Sequence, residues 1–144
     1  MNPLHMSTAD YTFFNRYGRE QAIADGLLVD ISCQAKEYGF QIPIAITAAA
    51  WVDCVFWNDQ DLVRQSDARQ SQEQRLHDLL LLAVLSAADK ETDTVPFDIE
   101  RVPRDGRSAR RHRTPLKLMV GPGDEGEPVM TLMLAGEDWP GWRL

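Results

Sequence analysis

A chain of 144 residues with 44% hydrophobic residues can bury about 68–70% of its unfolded surface in one domain, so it needs neither disulfide nor metal to fold. Its net charge of −7 makes the bulk of the molecule repel polyanions. The longest apolar run, LLLLAVL at 79–85, falls far short of the ~20 residues that span a membrane. No basic segment followed by an apolar run opens the chain. With only two cysteines, Cys33 and Cys54, a reduced bacterial-type cytoplasm is the expected setting.

In chain order, residues 1–10 are expected to fray. Residues 19–25 form a short helix ended by Gly26, which can take the left-handed conformation of a helix terminator. LLVDIS is a short apolar run. Asp30 then caps a helix over ISCQAKEYG that stops at Gly39, and Pro43 blocks helix beyond it. Thr47 caps AAAWVDCVFW, where Ala48, Trp51, Val52, Val55 and Phe56 recur at i, i+3, i+4, i+7 and i+8 and mark one helical face. NDQDLVRQSDARQ is polar and reads as a loop. Ser71 with Gln74 makes a capping-box pattern that starts a strong helix reaching Lys90. Because 79–85 is apolar all round, this helix is either enclosed by its own domain or buries one side in a partner, and a homodimer is expected.

Past Lys90 the period changes. TVPFDIERV alternates Val95, Phe97 and Ile99 with polar neighbours, and PLKLMV and EPVMTLML are strand-like. Asp-Gly and Gly-Pro-Gly mark the turns between them. The simplest assembly is one α+β domain over 1–144, with N-terminal helices packed on a C-terminal three-stranded antiparallel sheet. Residues 19–90 are then mainly helical, 94–135 form the sheet, and 136–144 are a tail. The two connecting loops fall at opposite ends of the sheet.

Charge is distributed unevenly along this plan. Residues 101–117, RVPRDGRSARRHRTPLK, hold seven of the 15 basic residues and one of the 22 acids, so the stretch is +6 and the rest of the chain −13. Such a local excess attracts polyanions within a Debye length, about 8–10 Å. Arginine grips phosphate through a planar fork, so Arg101, Arg104, Arg107, Arg110, Arg111, Arg113 and Lys117 are the candidate nucleic-acid contacts. No aromatic residue is interleaved to stack bases. The competing reading is a loop whose charges neutralise the acidic remainder of this or a neighbouring subunit.

Other constellations carry less. GPGDEG spells G-x-G-x-x-G at Gly121, Gly123 and Gly126, but Pro128 and a strand-like run follow where a dinucleotide fingerprint needs a helix, and Asp124, Glu125 and Glu127 repel phosphate. A hairpin loop is the better reading. Cys33 and Cys54 are too far apart for a C-x₂-C pair, and His5, His77 and His112 are dispersed, so neither metal nor cofactor is expected. Cys54 with His77 and Asp53 or Asp78 is the only nucleophilic combination available, without a motif around it. The chain is therefore not expected to be an enzyme. Trp139 and Trp142 in DWPGW fit either an interface or the core.

The order Asp25-Gly26, Asp30, Pro43, Thr47, WVDC at 51–54, RVPRDG at 101–106 and GPGDEGEP at 121–128 resembles a family of small uncharacterised bacterial proteins encoded on plasmids and integrative elements. The resemblance extends over residues 21–138. It implies a cytoplasmic accessory protein of a mobile element and supplies no catalytic residues. The expected function is a non-enzymatic binding module that meets DNA or RNA through the arginine-rich loop. The alternative is an acidic protein that binds a host protein, as a decoy or an antagonist of host defence, without touching nucleic acid.

Overall fold

The computed structural model describes residues 18–88, 90–104 and 110–138. Its centre is a five-stranded sheet in the order β1-β2-β5-β4-β3, built from β1 (Leu28–Asp30), β2 (Ile44–Thr47), β3 (Thr94–Arg101), β4 (His112–Pro122) and β5 (Pro128–Leu134). The last three strands form the expected antiparallel meander. The three-stranded antiparallel sheet is nevertheless incorrect: β1 pairs antiparallel with β2, and β2 runs parallel to β5. The sheet is mixed because the N-terminal half contributes two strands to it.

Two features hid these strands. β1 has three residues, and β2 is buried at all four positions, Ile44, Ala45, Ile46 and Thr47. A strand covered on both faces loses the period of two that betrays a half-exposed one.

Helices also occupy both faces rather than forming one N-terminal layer. α5 (Gln72–Ala87) puts Leu76, Leu79, Leu80 and Ala83 into a core with Ile44, Ile46, Val95, Phe97, Ile99, Leu116, Leu118 and Leu132. α1 (Arg19–Ala24) lies on the other face, where Ala22 meets Leu28 and Ala45. Its guanidinium at Arg19 donates to Thr131 Oγ1 (2.8 Å) and to the Met130 carbonyl, tying the helix to β5.

Local signals explain most of the connections. Gly26 and Gly39 hold φ of +80° and +94°, which residues with a Cβ rarely adopt. α2 (Ser32–Ala35) continues as a 3₁₀ turn ended by Gly39. Thr47 caps α3 (Ala48–Ala50), its hydroxyl accepting from the Ala50 amide. The helix then widens into a π turn over Trp51–Val55 and leaves helical geometry at Phe56. The expected stripe holds at Val55, which is buried, and at Trp51, which packs on the core, but the wider turn moves Val52 out to 52% exposure and brings Cys54 and Trp57 in. The segment read as a loop contains α4 (Asp59–Arg64), fixed by a reciprocal Asn58–Asp61 capping box. The GPGDEG segment is the β4–β5 hairpin loop, with Gly126 at φ +86°. Residues 1–10, Trp139 and Trp142 lie outside the described residues.

Candidate functional site

The strand alternation sends the basic residues of 101–117 to different faces. Arg101 follows Val95, Phe97 and Ile99 onto the helix-covered face, at the end of β3. Arg113 and Lys117 are on the other face of β4, opposite Glu100 and Pro96 in the β3 register. Arg107, with Asp105 and Gly106, lies outside the described residues.

On the helix side the chain after β3 is held by a clamp of side chains. Arg101 Nη2 meets Asp53 Oδ1 at 2.7 Å. Arg104 Nε meets Asp61 Oδ2 at 2.8 Å, and its guanidinium lies 4.5 Å from the centroid of Phe56. Three successive carbonyls are also engaged: Val102 O by Arg75 Nη1 (2.9 Å), Pro103 O by Gln65 Nε2 (3.2 Å) and Arg104 O by Arg64 Nη2 (3.3 Å). The Val102 carbonyl is buried, and leaving it unpaired would cost about 1–3 kcal/mol; the other two are more exposed, so α5 supplies the firmest hold on the base of the arginine loop and the end of α4 a looser one.

Arg75 is the keystone. It is 3% exposed, although it stands in the polar first turn of α5, just ahead of Leu76. Its Nε donates to Val55 O and its Nη2 to Asp53 O, both at 3.2 Å, so it also secures the π turn. The indole of Trp57 lies 4.8 Å from its guanidinium carbon. Burial, with the Arg101 and Arg104 guanidiniums adding to it, pushes Arg75 down to about 10, still charged at neutral pH.

Asp61 balances the clamp. Its carboxylate is fully covered and accepts from Arg64 at 2.5 Å as well as from Arg104. Burial alone would raise it; the Asn58 amide and the two guanidiniums outweigh that effect and hold it below the ordinary carboxylate range. Among the described residues, this cluster sets four guanidiniums (Arg64, Arg75, Arg101 and Arg104) against two carboxylates (Asp53 and Asp61), an excess of +2. Arg101 Nε and Nη1 are buried without a hydrogen-bond partner. A groove of about 640 Å³ opens beside the clamp, between Ala48, Ala49 and Val52 on one side and Arg101, Pro103 and Arg104 on the other.

Cys54 is enclosed behind this cluster. Burial, reinforced by the Asp53 carboxylate, pushes its thiol up to about 11 against the opposing pull of Arg101 and Arg75. His77 is engaged by the Tyr38 hydroxyl at 2.5 Å, and Asp78 by Gln74. Cys54 therefore rests as a buried thiol, and His77 and Asp78 are engaged elsewhere. Among the described residues no group of three or more His, Cys, Asp or Glu is placed to hold a metal ion, and no helix is long and apolar enough to cross a membrane.

Most of the remaining basic residues are exposed. Arg110, Arg111 and His112 are exposed where the chain enters β4. The Arg113 side chain is 72% exposed and only 3.9 Å from the half-exposed Asp98 carboxylate, a weak surface pair. Lys117 is mostly covered and sits 3.9 Å from Asp138. Arg101, Arg104 and Lys117 are therefore mostly covered by their own molecule, while Arg110, Arg111 and Arg113 are exposed.

The opposite end of the sheet is acidic. Glu20, Asp30, Asp124, Glu125 and Glu127 line a groove of about 440 Å³ around Arg19. Asp124, in the glycine-rich hairpin, accepts from the Arg19 and Glu20 amides at 2.7 and 3.0 Å and so caps α1. The sequence reading missed Arg75, Asp61 and Asp124. A charged residue in phase with Leu76, Leu79 and Leu80 was the available signal for Arg75, and the Asn58–Asp61 spacing was the one for Asp61.

Neither a curated protein nor a solved structure matches the chain. A family model matches residues 4–138, nearly the whole sequence. The chain belongs to that family, DUF6573, a family of unknown function.

Proposed function

We propose that the chain is a non-enzymatic binding module whose basic pole contacts nucleic acid. The reading narrows the contact set of the arginine loop to Arg110, Arg111 and Arg113. Arg101, Arg104 and Lys117 leave it because their own molecule holds them, and Arg107 lies outside the described residues. The observation that carries the proposal is the division of labour at 101–113: an internal clamp fixes one end of the loop, and three exposed guanidiniums stand at the other. Fixing the base lowers the ordering cost of bringing several cations to one backbone. An accessory role on a bacterial plasmid or integrative element, within the cytoplasm, is part of the same proposal.

The acidic groove at the far end of the sheet favours a second reading, a docking surface for a basic host protein. Homodimer formation keeps one support, the exposure of Leu81 and Leu85 one turn apart on α5, and sedimentation of the free chain tests it. Fluorescence anisotropy with labelled duplex and single-stranded oligonucleotides at low salt separates the two readings. Binding that is lost in an Arg110→Ala, Arg111→Ala, Arg113→Ala variant supports the basic pole. A wild-type chain that binds neither oligonucleotide gives the function to the acidic end.

A further inference from the structure

We propose that the groove beside the loop clamp is a binding site for a single phosphoryl dianion. The site uses residues other than the exposed arginines, and so stands or falls separately from the contact proposed above.

Three observations converge there. The first is charge. Arg64 and Arg104 pair with Asp61, Arg101 pairs with Asp53, and Arg75 behind them binds only neutral oxygens, so the clamp carries +2 among the described residues, while the groove lining itself sets Arg101 and Arg104 against Asp53. A phosphate monoester carries about −1.5 to −2 at neutral pH, whereas a carboxylate carries only one charge. The second is donor supply. Arg101 reaches Asp53 through Nη2 alone, and Arg104 reaches Asp61 through Nε alone. Neither guanidinium makes the two-pronged contact with a carboxylate that its planar fork allows. Arg101 Nε and Nη1 are buried without an oxygen or nitrogen partner, on a guanidinium that also faces the Cys54 sulfur, so an anion reaches them only if the side chain turns. The third is shape. Both arginines line one groove of about 640 Å³ whose opposite wall, Ala48, Ala49 and Val52, is small and apolar. That wall offers the anion no competing acceptor, and the acceptor in the groove lining is the Asp53 carboxylate.

Asp53 is the internal competitor. Its side chain is 35% exposed and holds the groove-side tip of Arg101. An incoming phosphoryl group takes that tip, and the Asp53 carboxylate turns toward solvent. Asp53→Asn should therefore tighten phosphate binding about five- to tenfold by removing a like charge within a few ångströms. Val52→Glu, at a position 52% exposed, should weaken it about tenfold or more without disturbing the clamp, because it puts a carboxylate into the groove.

The test is thermal unfolding with inorganic phosphate, against sodium chloride at matched ionic strength. Phosphate at about ten times its Kd should raise the Tm of the wild-type chain by about 4 °C. Asp53→Asn should reach that shift at lower phosphate, and Val52→Glu should lose it. Arg111→Ala with Arg113→Ala should retain the whole shift. The proposal is overturned if phosphate does no more than chloride, or if neither Asp53→Asn nor Val52→Glu changes the response. It is also overturned if the shift disappears with Arg111 and Arg113, which would place the anion on the exposed patch. Acetate acting in place of phosphate would replace the dianion with a simple carboxylate ligand.

Discussion

Replacing Arg75 with Met tests whether a buried guanidinium ties the arginine loop to the helical layer. Methionine keeps most of the aliphatic stem and its contact with Trp57, so the loss is confined to the charged head. Arg75 now donates to the carbonyls of Asp53, Val55 and Val102 and to Gln70 Oε1. Leaving the buried Val55 and Val102 carbonyls unpaired costs about 1–3 kcal/mol each, with a smaller loss at the part-buried Asp53 carbonyl, or about 3–7 kcal/mol in all. Removing a cation whose pKa burial has pushed down to about 10 returns part of that cost. The net expectation is a destabilisation of about 3 kcal/mol, with a urea midpoint lowered and the m-value unchanged. Amide exchange of residues 101–104 should accelerate more than that of the β4–β5 hairpin, since Val102 loses its tie. A Met variant as stable as wild type, or more stable, would refute the reasoning: the cation would then be a cost that the fold tolerates and not a fastening.

Three further outcomes follow from the same geometry. Asp61→Asn should cost about 1–2 kcal/mol at pH 7, a figure discounted because Arg64 and Arg104 are partly solvated. As Asp61 is held below the usual carboxylate range, its contribution is complete above about pH 4 and fades as pH falls through the folded-state value, so urea midpoints of wild type and Asp61→Asn should converge in acid. A thiol reagent should titrate Cys33 alone in the native chain and Cys54 only after unfolding, because Cys54 is buried with its thiol pushed up to about 11. Gly39→Ala should cost about 1 kcal/mol in a denaturation curve, since the backbone there sits at φ +94°.

The parts of the fold legible in the sequence were those with one wet face or an uncrowded cap. β3 alternates Val95, Phe97 and Ile99 against exposed neighbours, and the structure keeps that period. Ser71 and Thr47 cap the helices they precede. β1 and β2 escaped because one is three residues long and the other is buried on both sides. The stripe through Trp51 and Val55 held, but Val52 left it for a different reason: a π turn changes the angular step between residues, which spacing in the sequence does not encode.

The candidate site was half legible. The charge excess of residues 101–117 marked the region, yet composition does not say which way a guanidinium points. That is set by strand phase: Arg101 shares a face with Ile99, whereas Arg113 lies opposite Glu100. The partners that claim Arg101 and Arg104 come from segments 48 and 43 residues earlier in the chain, one of which read as a loop. Long-range pairing of this kind leaves no local period to detect.

The division between held and outward arginines is tested most directly by the slope of log K against log salt for oligonucleotide binding. Each phosphate met by an arginine contributes about 0.7–0.9 to that slope, so removing Arg110, Arg111 and Arg113 together should flatten it by about 2–3. A wild-type chain that fails to bind at low salt, or a triple variant that binds with the original slope, would contradict the assignment of these three residues as the contact.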